Sequence, residues 1–252
     1  HRGNRIVRAD DGNAKNFMCA YHGWTYSNEG KLVSVPGLQE AYYGELDVEN
    51  LGLVPVAHLD TYAGLIFATW AEDAPTLEDY LGDARWYLDI TYNHVDGGIQ
   101  ALGPIKWLIP ANWKVPVDNA SGDMYHAVMS HRSSSIVQSR YKGVRLVPMN
   151  EAYTQPGRSA TAANGHAILN SIVTDDESVI TENRNRRMSN TAQIEWTEKL
   201  RPEMEKRLGG SRANGVTGTA NVFPNYFLGM RVAHPRGPHT TECWSFEFYE
   251  KN

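Results

Sequence analysis

Three turn signatures fall early in the chain: DDGN at 10–13, SNEG at 27–30 and VPG at 35–37. Glycine, proline, asparagine and aspartate at that density cut the chain into segments too short for helices. The stretches between them, such as Arg5 to Arg8 and Leu65 to Thr69, alternate in polarity. Residues before Trp70 therefore read as a small antiparallel β unit. The character changes over Ala71 to Asp89, where Pro75 and a group of acidic residues open an amphipathic helical stretch, and a domain boundary is placed there. Beyond it, Gly98 to Leu108 is strand-like and Asn112 to His131 looks helical after Pro116. Asp175 to Leu208 is a polar run with a helix at its end, and Asn221 to Glu250 reads as two or three antiparallel strands. Arg158 to Gly165 has the composition of a mobile loop, and there is no internal repeat.

Composition matters here for what it excludes. A net charge of −5 argues against a phosphate-backbone partner, so nucleic acid is not expected. The longest apolar stretch, Ala63 to Trp70, is far short of the roughly 20 residues a bilayer needs. Two cysteines, Cys19 and Cys243, imply no disulfide framework and fit a reducing, cytoplasmic setting. Cys243 sits in a strand pattern without metal partners and reads as a buried apolar residue. The chain begins at His1 rather than Met with no charged-then-apolar leader, so it reads as a fragment.

Cys19 and His22 form a C-x-x-H pair, a spacing that turns two ligands onto one metal or cluster. Alone, such a pair is more often chance or part of a zinc site. A second group, Asp123-x-x-His126-x4-His131, offers two imidazoles suited to a first-row metal such as Fe(II), with a carboxylate completing a facial triad. At about 100° per residue, histidines five apart on a regular helix point roughly 140° away from each other. The helix is therefore expected to end, or to widen, between Ala127 and His131. The zinc-protease pattern H-E-x-x-H is absent. His58, His94, His166, His234 and His239 have no paired spacing and read as structural or surface residues.

In context, His1 lies 18 positions before Cys19, and the string CAYHGWTY follows with Gly-Trp-x-Tyr directly after His22. This resembles the Rieske cluster motif, C-x-H-x(15 to 17)-C-x-x-H, with its first cysteine falling before His1. NWK followed by D-x-x-H-x4-H, at Asn112 to His131, resembles the mononuclear-iron motif of the same proteins, the large subunits of Rieske non-heme iron aromatic ring-hydroxylating dioxygenases. The chain as a whole looks most like the naphthalene and polycyclic aromatic members.

The resemblance implies a [2Fe-2S] cluster held by His1 and His22 on one iron and by Cys19 and the missing cysteine on the other. Two imidazoles in place of two thiolates raise such a cluster's potential. It further implies that His126 and His131 bind a mononuclear Fe(II), with an aspartate beyond Asn252 as third ligand. Asp123 matches the bridging aspartate that passes electrons from His22 of one subunit to His126 of another. Matching positions make Asn119, Ala120 and Ala127 substrate-facing; Asn225 is a weaker pocket candidate that reads as well as a turn residue.

The activity so implied is insertion of both atoms of O2 into an aromatic hydrocarbon to give a cis-dihydrodiol. Electrons would come from NADH through a reductase and a ferredoxin. A small beta subunit is an expected partner, in a homotrimeric ring of alpha subunits or an alpha3beta3 assembly. Rivals are a Rieske monooxygenase or demethylase with the same metals, a Rieske electron carrier, and a zinc module. A carrier gives no role to D-x-x-H-x4-H or to the long chain after the β unit, and a zinc module lacks paired cysteines. The expected fold is α+β: an antiparallel β Rieske domain over 1–76, truncated at its start, then a truncated catalytic domain over 77–252 in which helices pack on an antiparallel sheet.

Overall fold

A computed structural model describes residues 1–9, 12–123, 125–142, 146–152, 159–169, 175–181, 191–214, 219–227 and 229–251. They form two compact units, one of residues 1–60 with 66–74 and one of residues 61–65 with 75–252.

The first unit is built from short strands, as the turn density requires. β1 (Asn16–Met18), β2 (Thr25–Ser27) and β3 (Leu32–Ser34) form an antiparallel meander. β4 (His58–Tyr62) and β5 (Leu65–Thr69) form a separate two-stranded sheet, whose hairpin end over 61–65 belongs to the second unit. Ala63 and Gly64 join these two strands with φ of 49° and 82°, the pair of positive values that a two-residue hairpin turn prefers. Cys19, Tyr26, Leu32 and Val35 make the core, with Trp24, Leu46 and Leu53 packed against it. Arg5 to Arg8, expected to alternate as a strand, is irregular and mostly exposed.

The second unit centres on a seven-stranded antiparallel sheet. It comprises β6 (Ile99–Ile109), β7 (Ser159–Thr161), β8 (Ala167–Leu169), β9 (Thr219–Val222), β10 (Tyr226–Phe227), β11 (Arg231–Pro235) and β12 (Thr241–Glu250). Their order across the sheet is β6-β12-β11-β10-β9-β8-β7, so β6 lies at one edge of the described strands. The fold class is the α+β arrangement expected. The segment Asn221 to Glu250 holds parts of four strands rather than two or three, because Phe223 to Asn225 forms a tight turn that splits off the two-residue β10. Residues 159–165 are ordered as β7 and a 3-10 turn rather than a loop, since β7 pairs with β8 from Ser159↔Leu169 to Thr161↔Ala167. Arg158 lies outside the described residues.

The helical stretch after Pro75 is two helices, α1 (Leu77–Leu81) and α2 (Ala84–Tyr92). Thr76 caps the first by accepting from the Asp79 amide at 3.1 Å. Gly82, at φ 46°, separates them with a backbone conformation that other residues enter only under strain. α2 buries Ala84, Leu88 and Tyr92, four residues apart on one face. Burial of a leucine such as Leu88 contributes about 2 kcal/mol.

Two buried histidines fasten the unit, as structural residues should. The His166 ring Nε2 lies 2.8 Å from the Tyr80 carbonyl oxygen, and its Nδ1 accepts from the Phe223 amide at 3.1 Å. Burial holds its pKa below the usual imidazole value, so the ring is neutral with the proton on Nε2. His94 places Nε2 3.2 Å from Glu250 Oε1, and the Trp196 indole donates to Glu250 Oε2 at 3.3 Å. Trp196 belongs to the helix Thr191–Leu208, which stands where the polar run was expected to end in one.

The hydrogen bond from His94 is the largest influence on Glu250, whose pKa falls from 4.5 to about 2 against the opposing effect of burial. A carboxylate whose pKa is depressed by folding adds stability that is present above its unfolded value near 4.5 and disappears as pH drops through 2. Glu250→Gln should therefore lower the urea midpoint at pH 7. The gap from the parent should close between pH 4.5 and 2, and a gap constant over that range would show that the ionised carboxylate contributes nothing.

Candidate functional site

Each group of candidate ligands named above lies within a single unit. In the first, a turn runs from Cys19 to His22, closed by the Gly23 amide donating to the Cys19 carbonyl at 2.9 Å and the Cys19 amide to the Trp24 carbonyl at 2.8 Å. Cys19 is 1% exposed and unpaired, while His22 faces outward with its ring 4.0 Å from that of Tyr21. His1 stacks on Trp24 at a centroid distance of 5.3 Å and tilts against Tyr26 at 5.5 Å. The chain start is thus carried to the aromatic pair that flanks the Cys19 turn. The donor types, a buried thiol and two imidazoles, are those of the mixed ligation of a Rieske cluster, but the three side chains do not close on a common point.

In the second unit, α3 (Lys114–Gly122) carries the approach to the other group. The helix starts before Pro116 rather than after it, because first-turn amides have no intrahelical partner and a proline there loses nothing. Asn112 Oδ1 accepts from the Lys114 amide at 3.1 Å. Val117 and Ala120 pack onto Phe227, Ala233 and Cys243 of the sheet, so Cys243 is the buried apolar residue expected.

At Asp123 the backbone leaves the helix, with φ −99° and ψ 86°. α4 (Tyr125–Ser130) then begins afresh, His131 occupies a turn, and α5 (Arg132–Lys142) follows. The expected end of the helix before His131 is present, although the His131 amide still bonds the Ala127 carbonyl at 3.2 Å. The larger departure from helical geometry comes earlier, at Asp123.

The result is that His126 and His131 face each other, with their Nε2 atoms 3.1 Å apart. Two nitrogens each about 2.1 Å from one metal, at right angles, are separated by roughly 3.0 Å. The observed spacing fits a shared ion. Asp123 Oδ2 is 3.0 Å from His126 Nδ1, and its Oδ1 accepts from the His126 amide at 3.4 Å. The ring contact first, then the amide, hold the Asp123 carboxyl below the usual carboxylate range. A carboxylate at Nδ1 places the ring proton there and leaves Nε2 free as a ligand. Among the described residues no three His, Cys, Asp or Glu side chains close on a common point, so the group as described offers two metal ligands and a carboxylate behind one of them.

Of the pocket candidates, the Asn119 amide nitrogen lies 3.3 Å from His126 Nδ1, and Ala127 is half-buried on α4. Ala120 is fully buried between α3 and the sheet, so packing alone demands a small side chain there. Asn225 lies in the turn before β10, where its carbonyl accepts from the Ala233 amide at 2.8 Å. A polar pair, half-buried Ser121 and buried Asn221, was missed from the sequence; an asparagine among the apolar residues of a strand pattern was its only signal.

Comparison with known proteins decides the family. A model of the ring hydroxylating alpha subunit (catalytic domain) matches residues 77–252, and a model of the Rieske [2Fe-2S] domain matches residues 1–61. The chain belongs to the ring-hydroxylating alpha-subunit family. The cofactors of such an alpha subunit are a [2Fe-2S] cluster and a mononuclear iron. The alpha subunit of biphenyl 2,3-dioxygenase from Rhodococcus jostii is 36% identical over 98% of this chain and 54% of its own. The large oxygenase component of the naphthalene 1,2-dioxygenase system from Pseudomonas aeruginosa is 35% identical over 100% and 56%. The chain thus spans about half the length of the curated relatives it matches. A naphthalene 1,2-dioxygenase variant bound to phenanthrene superposes with a TM-score of 0.79 at 31% identity, covering 100% of this chain and 57% of that one. The Rhodococcus sp. naphthalene 1,2-dioxygenase bound to indole gives 0.71 at 32%, covering 100% and 58%. A quaternary ammonium Rieske monooxygenase, at 18% identity and a TM-score of 0.58, shares the fold.

Within this alpha subunit, Gly23 guards the cluster turn. Its φ is 76°, and a Cβ there would meet Pro36 Cγ at 3.0 Å. Gly23→Ala should cost about 1–2 kcal/mol from the left-handed conformation alone. A thermal midpoint equal to the parent's would mean that the turn relaxes without strain.

Proposed function

We propose that this alpha subunit is the oxygenase component of an aromatic-ring dioxygenase, with its N-terminal domain over 1–76 and its catalytic domain over 77–252. The observation that carries the reading is the 3.1 Å approach of His126 Nε2 to His131 Nε2, with the Asp123 carboxylate behind His126. His126 and His131 supply two ligands to the mononuclear iron, and His1, Cys19 and His22 supply three to the cluster. When bound, these groups provide single electrons and the activation of dioxygen.

The chain's own residues do the rest. Asp123 holds the proton on His126 Nδ1 and so keeps Nε2 directed at its partner imidazole; it is also the proposed point at which electrons reach His126. Asn119 and Ala127 lie beside the histidines and face an aromatic hydrocarbon. Ala120 and Asn225 shape the pocket from behind, Ala120 by letting α3 lie close to the sheet. The product is a cis-dihydrodiol, and electrons come from NADH through a reductase and a ferredoxin. The assembly contains a small beta subunit and a ring of alpha subunits. No helix among the described residues is long and apolar enough to cross a membrane.

The test uses the assembled oxygenase with its electron-transfer partners. Under ¹⁸O2 both hydroxyl groups of the product should carry label, and a single labelled atom would overturn the dioxygenase reading. His131→Ala should lose about one iron per alpha subunit while the visible absorbance of the cluster persists. Unchanged iron content would remove His131 from the site.

A further inference from the structure

Asn221, on β9, is 2% exposed, yet it carries an amide among apolar neighbours. Its Nδ2 donates to Ser121 Oγ at 2.6 Å and reaches the Gly165 carbonyl at 3.4 Å. The Ser121 hydroxyl in turn donates to the Val117 carbonyl at 2.8 Å. Asn221 Oδ1 has no hydrogen-bond partner among the described residues. A buried orphan oxygen costs stability that an apolar residue of similar size would not. The amide therefore does something at this position that a leucine could not.

Its place in the fold shows what that is. Ser121 lies in the last turn of α3, two residues before the backbone departs at Asp123. A serine bonded back to the carbonyl four residues earlier bends a helix, and the amide from β9 fixes which way that hydroxyl is held. The chain Asn221 to Ser121 to Val117 thus ties the end of α3 sideways to the sheet, in addition to the apolar contacts of Val117 and Ala120. The carboxylate next along the chain must meet His126 Nδ1 within 3.0 Å, and it has only Gly122 between it and the tether.

We propose that Asn221 and Ser121 are positioning residues: by anchoring the last turn of α3 to β9 they set where the chain leaves the helix, and so hold the Asp123 carboxylate against His126. The importance of that contact rests on the reading of His126 and His131 as metal ligands, but the first readout below does not.

In metal-free protein labelled with ¹⁵N-histidine, long-range ¹H–¹⁵N spectra report which ring nitrogen of His126 carries the proton. The parent should show the Nδ1–H form. Ser121→Ala and Asn221→Ala should each raise the Nε2–H form several-fold, whereas Ser121→Thr, which keeps the hydroxyl, should match the parent. Co(II) titration provides the second readout: affinity at the histidine pair should fall about tenfold in both alanine variants. Binding that survives His131→Ala is discounted. A parental proton distribution in Ser121→Ala overturns the proposal, and that variant decides alone if Asn221→Ala does not fold. A parent that binds no Co(II) at the pair would sink the metal-ligand reading, while the comparison of proton positions would still decide the positioning role.

Discussion

The contact between Asp123 and His126 is the interaction on which the arrangement of the catalytic unit turns. Had one regular helix run through His126 and His131, the two rings would project roughly 140° apart and no ion could touch both; the end of α4 at Ser130, with His131 in a turn, lies between them. Ahead of them the backbone breaks at Asp123, a new helix starts, and the same carboxylate serves both sides of that break. One oxygen takes an amide of the new first turn, which would otherwise lack a partner, and the other takes the imidazole nitrogen. Backbone and side chain are fixed by one group, so the geometry of the ring follows from the geometry of the chain.

The two units hold their ligand groups by different physical means. The second rests on a broad sheet, with α3 seated on Phe227, Ala233 and Cys243. Buried polar ties supplement the packing, among them the Tyr92–Tyr226 hydroxyl pair that receives the Met230 amide. The first unit is smaller, and the strands of its meander are three residues long. Its ligand turn is held by main-chain hydrogen bonds around Cys19 and by aromatic rings stacked at its edge. Rigidity in one comes from buried area; in the other it comes from turn geometry.

Much of this was legible before any coordinates. Turn residues in the first unit announce short strands because glycine and proline act locally. The ligand spacings are equally local, and helix periodicity showed that His126 and His131 could share a metal only if the helix were interrupted between them. Features that depend on distant partners were not legible. The start of α3 was placed after Pro116, since a proline reads as a boundary unless the first turn is already known to begin at Lys114. Ser159 to Thr161 resembles a loop by composition and becomes a strand only because β8 lies beside it. The same holds for Asn221, whose meaning comes from a serine a hundred positions away.

β6 is the longest of the described strands and has one side without a described neighbour, and Leu102, Ile105 and Leu108 along it are exposed. Such an edge is a template onto which another molecule's strand can add. Its register with β12 passes from Ile105↔Ser245 to Leu102↔Glu247, so Gly103 and Pro104 stand together opposite Phe246 alone. That bulge sharpens the local twist, and Pro104 has no amide hydrogen to offer. The template is thereby cut into two short lengths aimed in different directions, a built-in check on intermolecular stacking at a greasy rim.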